Sequence, residues 1–260
     1  MSLRVLAPTI TSSSNGEWRM YFESRGSADR PTVIGSAVSS DLLRWELEDG
    51  IRLQYPGGVG GPRYRPLPDG QGRLYCFRSE FGPGGLASGQ RISSSIVSAI
   101  TLDGLNFDFE SGYRLRDRQT NDDTAGITAA EVFLPQATRN QWLMYYSAWQ
   151  DVPPGTSIPR HPSLDPDAVA NGTSEDFAAA SIASDLSGYR SRIHLAHSAD
   201  GLIWKRAGCV IEGQGYEEEG LDAVHAEDMS LVEIGNGNYR MYYAACDKHG
   251  NWRIASAVTD

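Results

Sequence analysis

Trp142-Leu143-Met144-Tyr145-Tyr146 has close relatives at three other places in the chain. They are Trp18-Arg19-Met20-Tyr21-Phe22, Arg73-Leu74-Tyr75-Cys76-Phe77 and Tyr239-Arg240-Met241-Tyr242-Tyr243. Aromatic side chains suit the half-buried surface of a sheet, so each run predicts a β-strand. Because the runs recur at intervals of tens of residues, the sequence predicts a fold built from repeated units.

The segments on either side of each aromatic run are also alike. A strand candidate precedes each run, at 6–11, 62–67, 130–134 and 228–233. A strand of small residues follows each run after a polar loop, at 33–38, 92–97, 193–198 and 253–258. Each repeat therefore contains at least three predicted strands.

Three of the small-residue strands lead into a turn and then reach another aromatic residue. The turns contain Asp41, Asp103 and Asp200, and the last two are Asp-Gly turns, which supply the positive φ of a tight hairpin. Each of these repeats thus has a fourth strand. Antiparallel units of four strands that repeat around an axis are propeller blades, so the predicted fold class is all-β, a β-propeller.

One of these turns resembles a motif of a known superfamily. Ser40-Asp41-Leu42-Leu43-Arg44-Trp45-Glu46 is similar to the Ser-x-Asp-Leu-x-x-Trp-Glu run of invertase-like and family-43-like glycosidases. The resemblance to the arabinanase, levansucrase and invertase superfamily covers nearly the whole chain and implies a five-bladed propeller that acts on carbohydrate. Only four repeats are visible, so a five-bladed ring with a degenerate or absent blade and a true four-bladed ring both stay open.

The chain is long enough for one large domain, and we expect a single propeller domain over residues 1–260. The repeat is interrupted by an insertion at about 150–192, which contains several prolines and a predicted helix at 174–185. The insertion joins two strands on the face where the innermost strands begin. It forms either a wall or lid over the central funnel or an excursion along the surface.

Charge and composition limit the classes of partner. The net charge of −10 and the pI near 5.0, without any basic stripe, exclude nucleic acid as an expected partner. No apolar stretch is long enough to span a bilayer and the start of the chain lacks a secretory signal, so we expect a cytoplasmic protein without a membrane partner. Cys76, Cys209 and Cys246 are widely spaced and predict neither a zinc site nor a disulfide framework.

The candidate catalytic residues are carboxylates at the starts of the innermost strands. Glycoside cleavage needs one protonated carboxyl group and one ionised one, and the resemblance implies a Glu acid and two Asp residues at these positions. Ala129-Ala130-Glu131 and Ala226-Glu227-Asp228 stand at equivalent places in the sequence repeat. Glu131 is the predicted acid, because an apolar run favours the neutral carboxyl group, and Asp228 or Glu227 is its predicted partner.

The first two repeats depart from the superfamily pattern. Ala7 and Gly61 stand where the resemblance implies Asp, which puts hydrolysis by the usual three acids in doubt. Arg63 and Arg65 lie beside a glycine-rich segment at 57–61, where the backbone can approach a ligand closely. Two arginines in this place predict either an anionic group on the ligand or salt bridges within the protein.

Four more residues are candidates for substrate binding, because their strands end or begin at the same face. They are Arg78, Glu80, Trp149 and His225. Trp149 suits stacking on a planar ligand or simple packing. His194 and His197 lie three apart on a predicted strand and face opposite ways, so no metal site is predicted. No cofactor motif appears in the sequence.

The leading hypothesis is a glycoside-hydrolase-like enzyme for a small carbohydrate or sugar-like substrate. Two alternatives stay open on the same scaffold. One is a propeller that binds a carbohydrate or an acidic metabolite without hydrolysis, and the other is a lyase or cyclase that acts on a non-sugar metabolite.

Overall fold

The computed structural model describes residues 4–13, 16–25, 30–81, 91–136, 140–151, 189–213, 218–235, 238–249 and 251–258. The predicted helix at 174–185, and all of the predicted insertion except its two ends, lie outside these residues. The described residues form fifteen strands joined by turns and loops. No helix among them is long and apolar enough to cross a membrane. The chain divides into two compact units, residues 1–116 and 117–260.

The first unit contains two antiparallel sheets of four strands each. The strands of the first sheet are β1 (Arg4–Ser12), β2 (Trp18–Arg25), β3 (Val33–Ser39) and β4 (Glu46–Leu47). The strands of the second sheet are β5 (Val59–Pro66), β6 (Gly72–Phe81), β7 (Arg91–Thr101) and β8 (Asp108–Phe109). In both sheets the spatial order is the order along the chain, as a propeller blade requires.

The second unit has a similar arrangement, with four strands in its first sheet and three described strands in its second. Its first sheet contains β9 (Gly126–Phe133), β10 (Trp142–Asp151), β11 (Tyr189–Ser198) and β12 (Trp204–Ile211). Its second sheet contains β13 (His225–Gly235), β14 (Asn238–Cys246) and β15 (Trp252–Val258). A single parallel pairing, between Ser191 and His225, links the two sheets.

The predicted strand pattern is confirmed in every repeat. The four aromatic runs lie in β2, β6, β10 and β14, and the small-residue runs lie in β3, β7, β11 and β15. Each unit has its own core between its two sheets. Tyr21, Ile34 and Leu74 belong to the core of the first unit, and Tyr145, Ile193 and Met241 belong to that of the second.

The Asp-containing turns share one hydrogen-bond pattern. Asp103 accepts the backbone N–H groups of Leu105 and Asn106, and these bonds, that of Asn106 first, hold the pKa of Asp103 well below its ordinary value. Asp200 accepts two backbone N–H groups in the same way. Gly104 and Gly201 both have a φ of 73°, as the Asp-Gly prediction requires.

Cys76 and Cys246 are buried and Cys209 is half-buried, and all three are free thiols. Burial raises the pKa of the Cys76 thiol. Since the thiolate is the reactive form, a buried thiol of raised pKa is inert. These cysteines therefore pack as small apolar residues.

Candidate functional site

The first strand of each sheet, β1, β5, β9 or β13, contains a β-bulge near its start. The bulged residues have positive φ angles of 47°, 58°, 39° and 51°, and they are Ala7, Gly61, Ala129 and Asp228. In each case the strand pairing shifts at that residue. A bulge inserts one extra residue and redirects the side chains beside it. Asp228 alone of the four carries a carboxylate, and it is exposed.

The bulges correct one detail of the sequence alignment. Asp228 is equivalent to Ala129, rather than to Glu131, because both are the bulged residue of their strand. Glu131 lies opposite Tyr145, and its true counterpart, Ser230, lies opposite Tyr242. The position of a residue within the sequence repeat does not reveal an inserted residue. The aromatic runs contain the information needed to align the two strands, since Tyr145 and Tyr242 occupy the same place in their runs.

A side chain of the neighbouring sheet holds one bulge in each unit. The Gly61 N–H donates to the Glu23 carboxylate at 3.0 Å, and the Asp228 N–H donates to the Ser147 hydroxyl at 3.1 Å. Glu23 is 2% exposed and Ser147 is fully buried. A non-glycine residue with positive φ is strained and persists only where its surroundings fix it. Ser147 therefore fixes the backbone that presents Asp228.

The three predicted catalytic carboxylates all lie in the second unit. Glu131 is 6% exposed and pairs with Tyr145, which packs in the core between the two sheets. Glu227 is 7% exposed. Since Ala226 packs in that same core, strand alternation directs Glu227 to the other face of β13. Asp228 follows at the bulge and is exposed.

Trp149 and His225, both predicted to bind substrate, lie in one aromatic cluster. The centroid of the His225 ring is 5.6 Å from that of Trp149 and 5.2 Å from that of Trp252, on which it stacks at 10°. The Nδ1 atom of His225 lies 3.0 Å from the Ser191 hydroxyl. Both indoles are half-buried, so part of each ring is available to a planar ligand. Sequence reasoning missed Trp252, which is 27 residues from His225 in a chain of 260.

The hairpin between β14 and β15 places Trp252. Asp247 accepts the backbone N–H groups of His249 and Asn251 and the Arg253 guanidinium at 2.8 Å. Although burial opposes it, these hydrogen bonds, with those from Asn251 largest, lower the pKa of Asp247. An ionised Asp247 therefore fixes the turn from which Trp252 begins.

A buried arginine shapes the approach to β13. Arg192 is 2% exposed and donates to the carbonyl oxygens of Ala223 and Val224 at 3.0 and 3.1 Å. These residues immediately precede His225. Arg192 thus orders the segment that carries His225, Glu227 and Asp228, and no motif in the sequence identifies it.

The predicted arginines of the first unit have protein partners. Arg63 donates to the Pro8 carbonyl at 3.0 Å, and Arg65 donates to the Tyr64 carbonyl at 2.7 Å. Arg78 and Glu80 form an ion pair at 3.4 Å. Packing explains Gly57 and Gly60, because a Cβ at Gly57 would collide with the Ser79 carbonyl and a Cβ at Gly60 would collide with the Glu23 carboxylate.

No family model and no curated protein matches this sequence. Among solved structures, a thermostable family-43 glycoside hydrolase is similar at 17% identity and a TM-score of 0.60, over 98% of this chain and 68% of that one. A Bombyx mori family-32 β-fructofuranosidase is similar at 14% identity and a TM-score of 0.64, over 98% of this chain and 46% of that one. An N-acetylgalactosamine deacetylase from F. plautii is similar at 12% identity and a TM-score of 0.60, over 98% of this chain and 72% of that one.

The chain has the fold of these glycoside hydrolases. The resemblance that the sequence predicts, to families 43 and 32, is therefore confirmed at the level of fold. At 12 to 17% identity the likeness shows the fold alone, because one fold hosts different activities. The chain also spans less than half of the fructofuranosidase.

Proposed function

We propose that the protein is a glycoside-hydrolase-like enzyme that acts on a small carbohydrate or sugar-like substrate. Glu131 is the proton donor, and Asp228 or Glu227 is the ionised partner. The observation that carries the proposal is the strained, exposed Asp228 at a bulge whose N–H is held by buried Ser147. Strained residues of this kind cluster at sites of chemistry, where their position matters more than their stability.

The surroundings of Asp228 suit a sugar. The cluster of Trp149, His225 and Trp252 adjoins the start of β13, and half-exposed indoles offer a flat apolar face to a pyranose or furanose ring. A Bombyx mori fructofuranosidase with a similar fold has been captured with sucrose. We also propose that residues 1–260 form one propeller domain of the five-bladed type. The insertion at about 150–192 then lies above the funnel of this propeller.

The reaction needs a donor and an ionised group on either side of the glycosidic bond. Glu131 protonates the leaving oxygen as the glycosidic C–O bond breaks, and Asp228 either activates the water that attacks the sugar carbon or attacks that carbon itself. In the second case, water activated by the deprotonated Glu131 then displaces Asp228 and releases the sugar. Which of these occurs depends on the separation of the two carboxyl groups, about 5 Å for a retaining enzyme and about 6.5–9.5 Å for an inverting one.

The test is turnover of a panel of aryl glycosides and short oligosaccharides by Glu131→Gln, Asp228→Asn and Glu227→Gln. Loss of the donor or of its partner is expected to lower kcat by about a thousandfold or more, in line with the loss of an essential acid or base. Glu233→Gln makes the same chemical change at an exposed position farther along β13 and is expected to keep full turnover. A Glu131→Gln variant as active as the parent would remove Glu131 from the mechanism.

A non-hydrolytic carbohydrate binder is the second candidate. It is favoured by Ala7 and Gly61, which stand at the same bulge position as Asp228 and carry no carboxylate. The deacetylase from F. plautii has a similar fold under a different activity. Calorimetric binding of a glycan that the protein never cleaves would support this candidate over the hydrolase.

A further inference from the structure

A cavity of about 320 Å³ lies at the second sheet of the second unit. The segment before β13 and the strands β14 and β15 supply its lining. The side chains that matter here are those of Glu219, Leu221, Asp222, Tyr243, Ala255 and Ser256. The volume is at the lower end of the range for small-molecule sites, about 300–1,000 Å³, so the cavity has room for one small molecule.

One residue of the lining is a buried carboxylate. Asp222 is 9% exposed, and its Oδ2 atom accepts a hydrogen bond from the Tyr243 hydroxyl at 2.9 Å. Burial, followed by this hydrogen bond, raises the pKa of Tyr243 against the opposing charge of Arg192, so the hydroxyl stays neutral and is the donor. Among the described residues, none forms an ion pair with Asp222. A buried carboxylate without a counter-ion is costly, and a cationic ligand would remove that cost.

The positive charges near the cavity are directed at other groups. Lys248 and His249 pair with Glu219, whose side chain is 77% exposed. Arg192 donates to backbone carbonyl oxygens, those of Ser191, Ala223 and Val224. The described residues that line the cavity include two carboxylates and no cationic side chain. The local charge therefore favours a positively charged ligand.

The lining suits an organic ammonium better than a metal ion. A hard ion such as Ca²⁺ takes about six to eight oxygen ligands, and the His, Cys, Asp and Glu residues in the described ranges form no group of three or more that could hold a metal ion. A primary ammonium needs acceptors for three N–H groups, and the Asp222 carboxylate and the Ser256 hydroxyl are acceptors in the lining. Leu221, Ala255 and the Tyr243 ring offer apolar surface to the carbon skeleton of such a ligand.

Hydrogen bonds to two strands order the segment that carries Asp222. The Val224 N–H donates to the Cys246 carbonyl of β14 at 3.0 Å. Arg192 of β11 donates to the carbonyl oxygens of Ala223 and Val224 at 3.0 and 3.1 Å. Because these bonds exist without a ligand, little conformational entropy is lost at Asp222 when a ligand binds.

We propose that this cavity binds the ammonium group of a small amino sugar, with the Asp222 carboxylate as its counter-ion and the Ser256 hydroxyl as a further acceptor. The ammonium follows from the cavity alone, whereas the sugar part of the ligand rests on the proposed function. None of the three proposed catalytic carboxylates lines the cavity. The cavity is therefore a second site, which prefers sugars that carry a free amino group over neutral ones.

The experiment compares D-glucosamine with D-glucose, which differ in one amino group, by calorimetry on the full chain at low salt and about pH 6. Glucosamine is expected to bind about tenfold or more tightly, in line with a charge-assisted hydrogen bond. N-acetyl-D-glucosamine, whose amide is uncharged, is expected to bind like glucose. Asp222→Asn keeps an acceptor for the Tyr243 hydroxyl but removes the charge, and it is expected to abolish the preference for glucosamine.

Asp122→Asn is the matched control, because Asp122 is exposed in the same unit, lies outside the cavity and loses the same charge. It is expected to bind glucosamine like the parent chain. Ser256→Ala leaves the buried carboxylate in place and is expected to weaken glucosamine binding about fivefold, as the loss of a neutral acceptor does. This variant keeps the proposal testable if Asp222→Asn does not fold.

Three results would each overturn the proposal. They are equal affinity for glucosamine and glucose, a folded Asp222→Asn variant that still prefers glucosamine, and a Ser256→Ala variant that binds glucosamine like the parent chain. Glu131→Gln is expected to bind glucosamine normally, so failure of the proposed catalysis and failure of the ammonium site give separate results.

Discussion

At both Gly61 and Asp228 the N–H group of the bulged residue donates to a side chain of the neighbouring sheet. The two bulges differ in which of the two hydrogen-bonded residues carries a carboxylate. At Gly61 the carboxylate belongs to Glu23 of the neighbouring sheet, where it is buried and accepts the bulge N–H. At Asp228 the acceptor is the neutral Ser147, and the carboxylate belongs to the bulged residue, exposed to solvent. A carboxylate in the first position holds the fold, whereas the one in the second faces solvent.

The residue before each bulge also depends on whether the acceptor is Glu23 or Ser147. In the first unit this residue is Gly60, because a Cβ there would collide with the Glu23 carboxylate and with the Phe77 ring. In the second unit the short Ser147 leaves room, and the equivalent residue is Glu227. Replacement of one acceptor thus permits two adjacent carboxylates at the start of β13.

Removal of the two acceptors is expected to have unequal effects. Glu23→Ala leaves the buried Gly61 N–H without its charged acceptor and should lower the free energy of unfolding by about 3 kcal/mol. Ser147→Ala removes a neutral acceptor and should cost about 1 kcal/mol. Urea unfolding of the two variants measures both. Equal losses would contradict the division of roles between Glu23 and Ser147.

Gly60→Ala probes the space that Glu23 occupies. The added methyl group meets the Glu23 carboxylate and Phe77, and overpacking of this kind is expected to cost about 2 kcal/mol. The same substitution in a Glu23→Ala background should cost clearly less, because one of the colliding groups is gone. Strictly additive losses in the double variant would show that Glu23 does not explain Gly60.

The backbone strain at the bulges can be measured by exchange of glycine and alanine. Gly61→Ala places a Cβ at a φ of 58° and should cost about 1 kcal/mol. Ala129→Gly relieves the strain at a φ of 39° and should raise the free energy of unfolding by less than about 1 kcal/mol. The gain is small because glycine also increases the conformational entropy of the unfolded chain. Thermal unfolding detects both changes, and a stabilising Gly61→Ala would rule out strain at this position.

The two units should also differ in their response to acid. All five histidines lie between residues 161 and 249, and the first unit contains none. Burial lowers the pKa of His194 in the folded chain below 6.5. As the pH falls below about 6.5, the unfolded chain therefore takes up a proton that the folded chain does not, and stability decreases.

His194→Gln tests this effect, because glutamine cannot titrate in this range. The charges that act on His194 are those of Asp122, Glu212, Arg206 and Asp123. We expect the variant to lose less stability than the parent chain between about pH 7 and pH 5. Identical slopes of unfolding free energy against pH would exclude His194 as the cause.

The regular part of the fold is predictable because its signals are local. Aromatic runs, small-residue strands and Asp-Gly turns each depend on residues within a few positions, and the structure confirms all three. The bulges are less visible, since one inserted residue leaves the composition of the strand unchanged. Only the shared register with Tyr145 and Tyr242 reveals that Asp228 corresponds to Ala129.

The contacts that shape the sites are long-range and have no sequence signature. His225 meets Trp149 and Trp252 only because three strand ends come together. Arg78 and Tyr113 are 35 residues apart. The sequence indicated Trp149, His225, Arg78 and Glu80 individually, but their neighbours depend on the packing of whole sheets.

The most direct test of the account is a crystal structure of the Glu131→Gln variant with a bound oligosaccharide. We predict that the side chains at 131 and 228 lie on opposite sides of the glycosidic oxygen, about 5–9.5 Å apart, with a sugar ring against Trp149 or Trp252. A sugar bound away from the start of β13, or side chains at 131 and 228 that point away from each other, would contradict the assignment of Asp228 to the reaction.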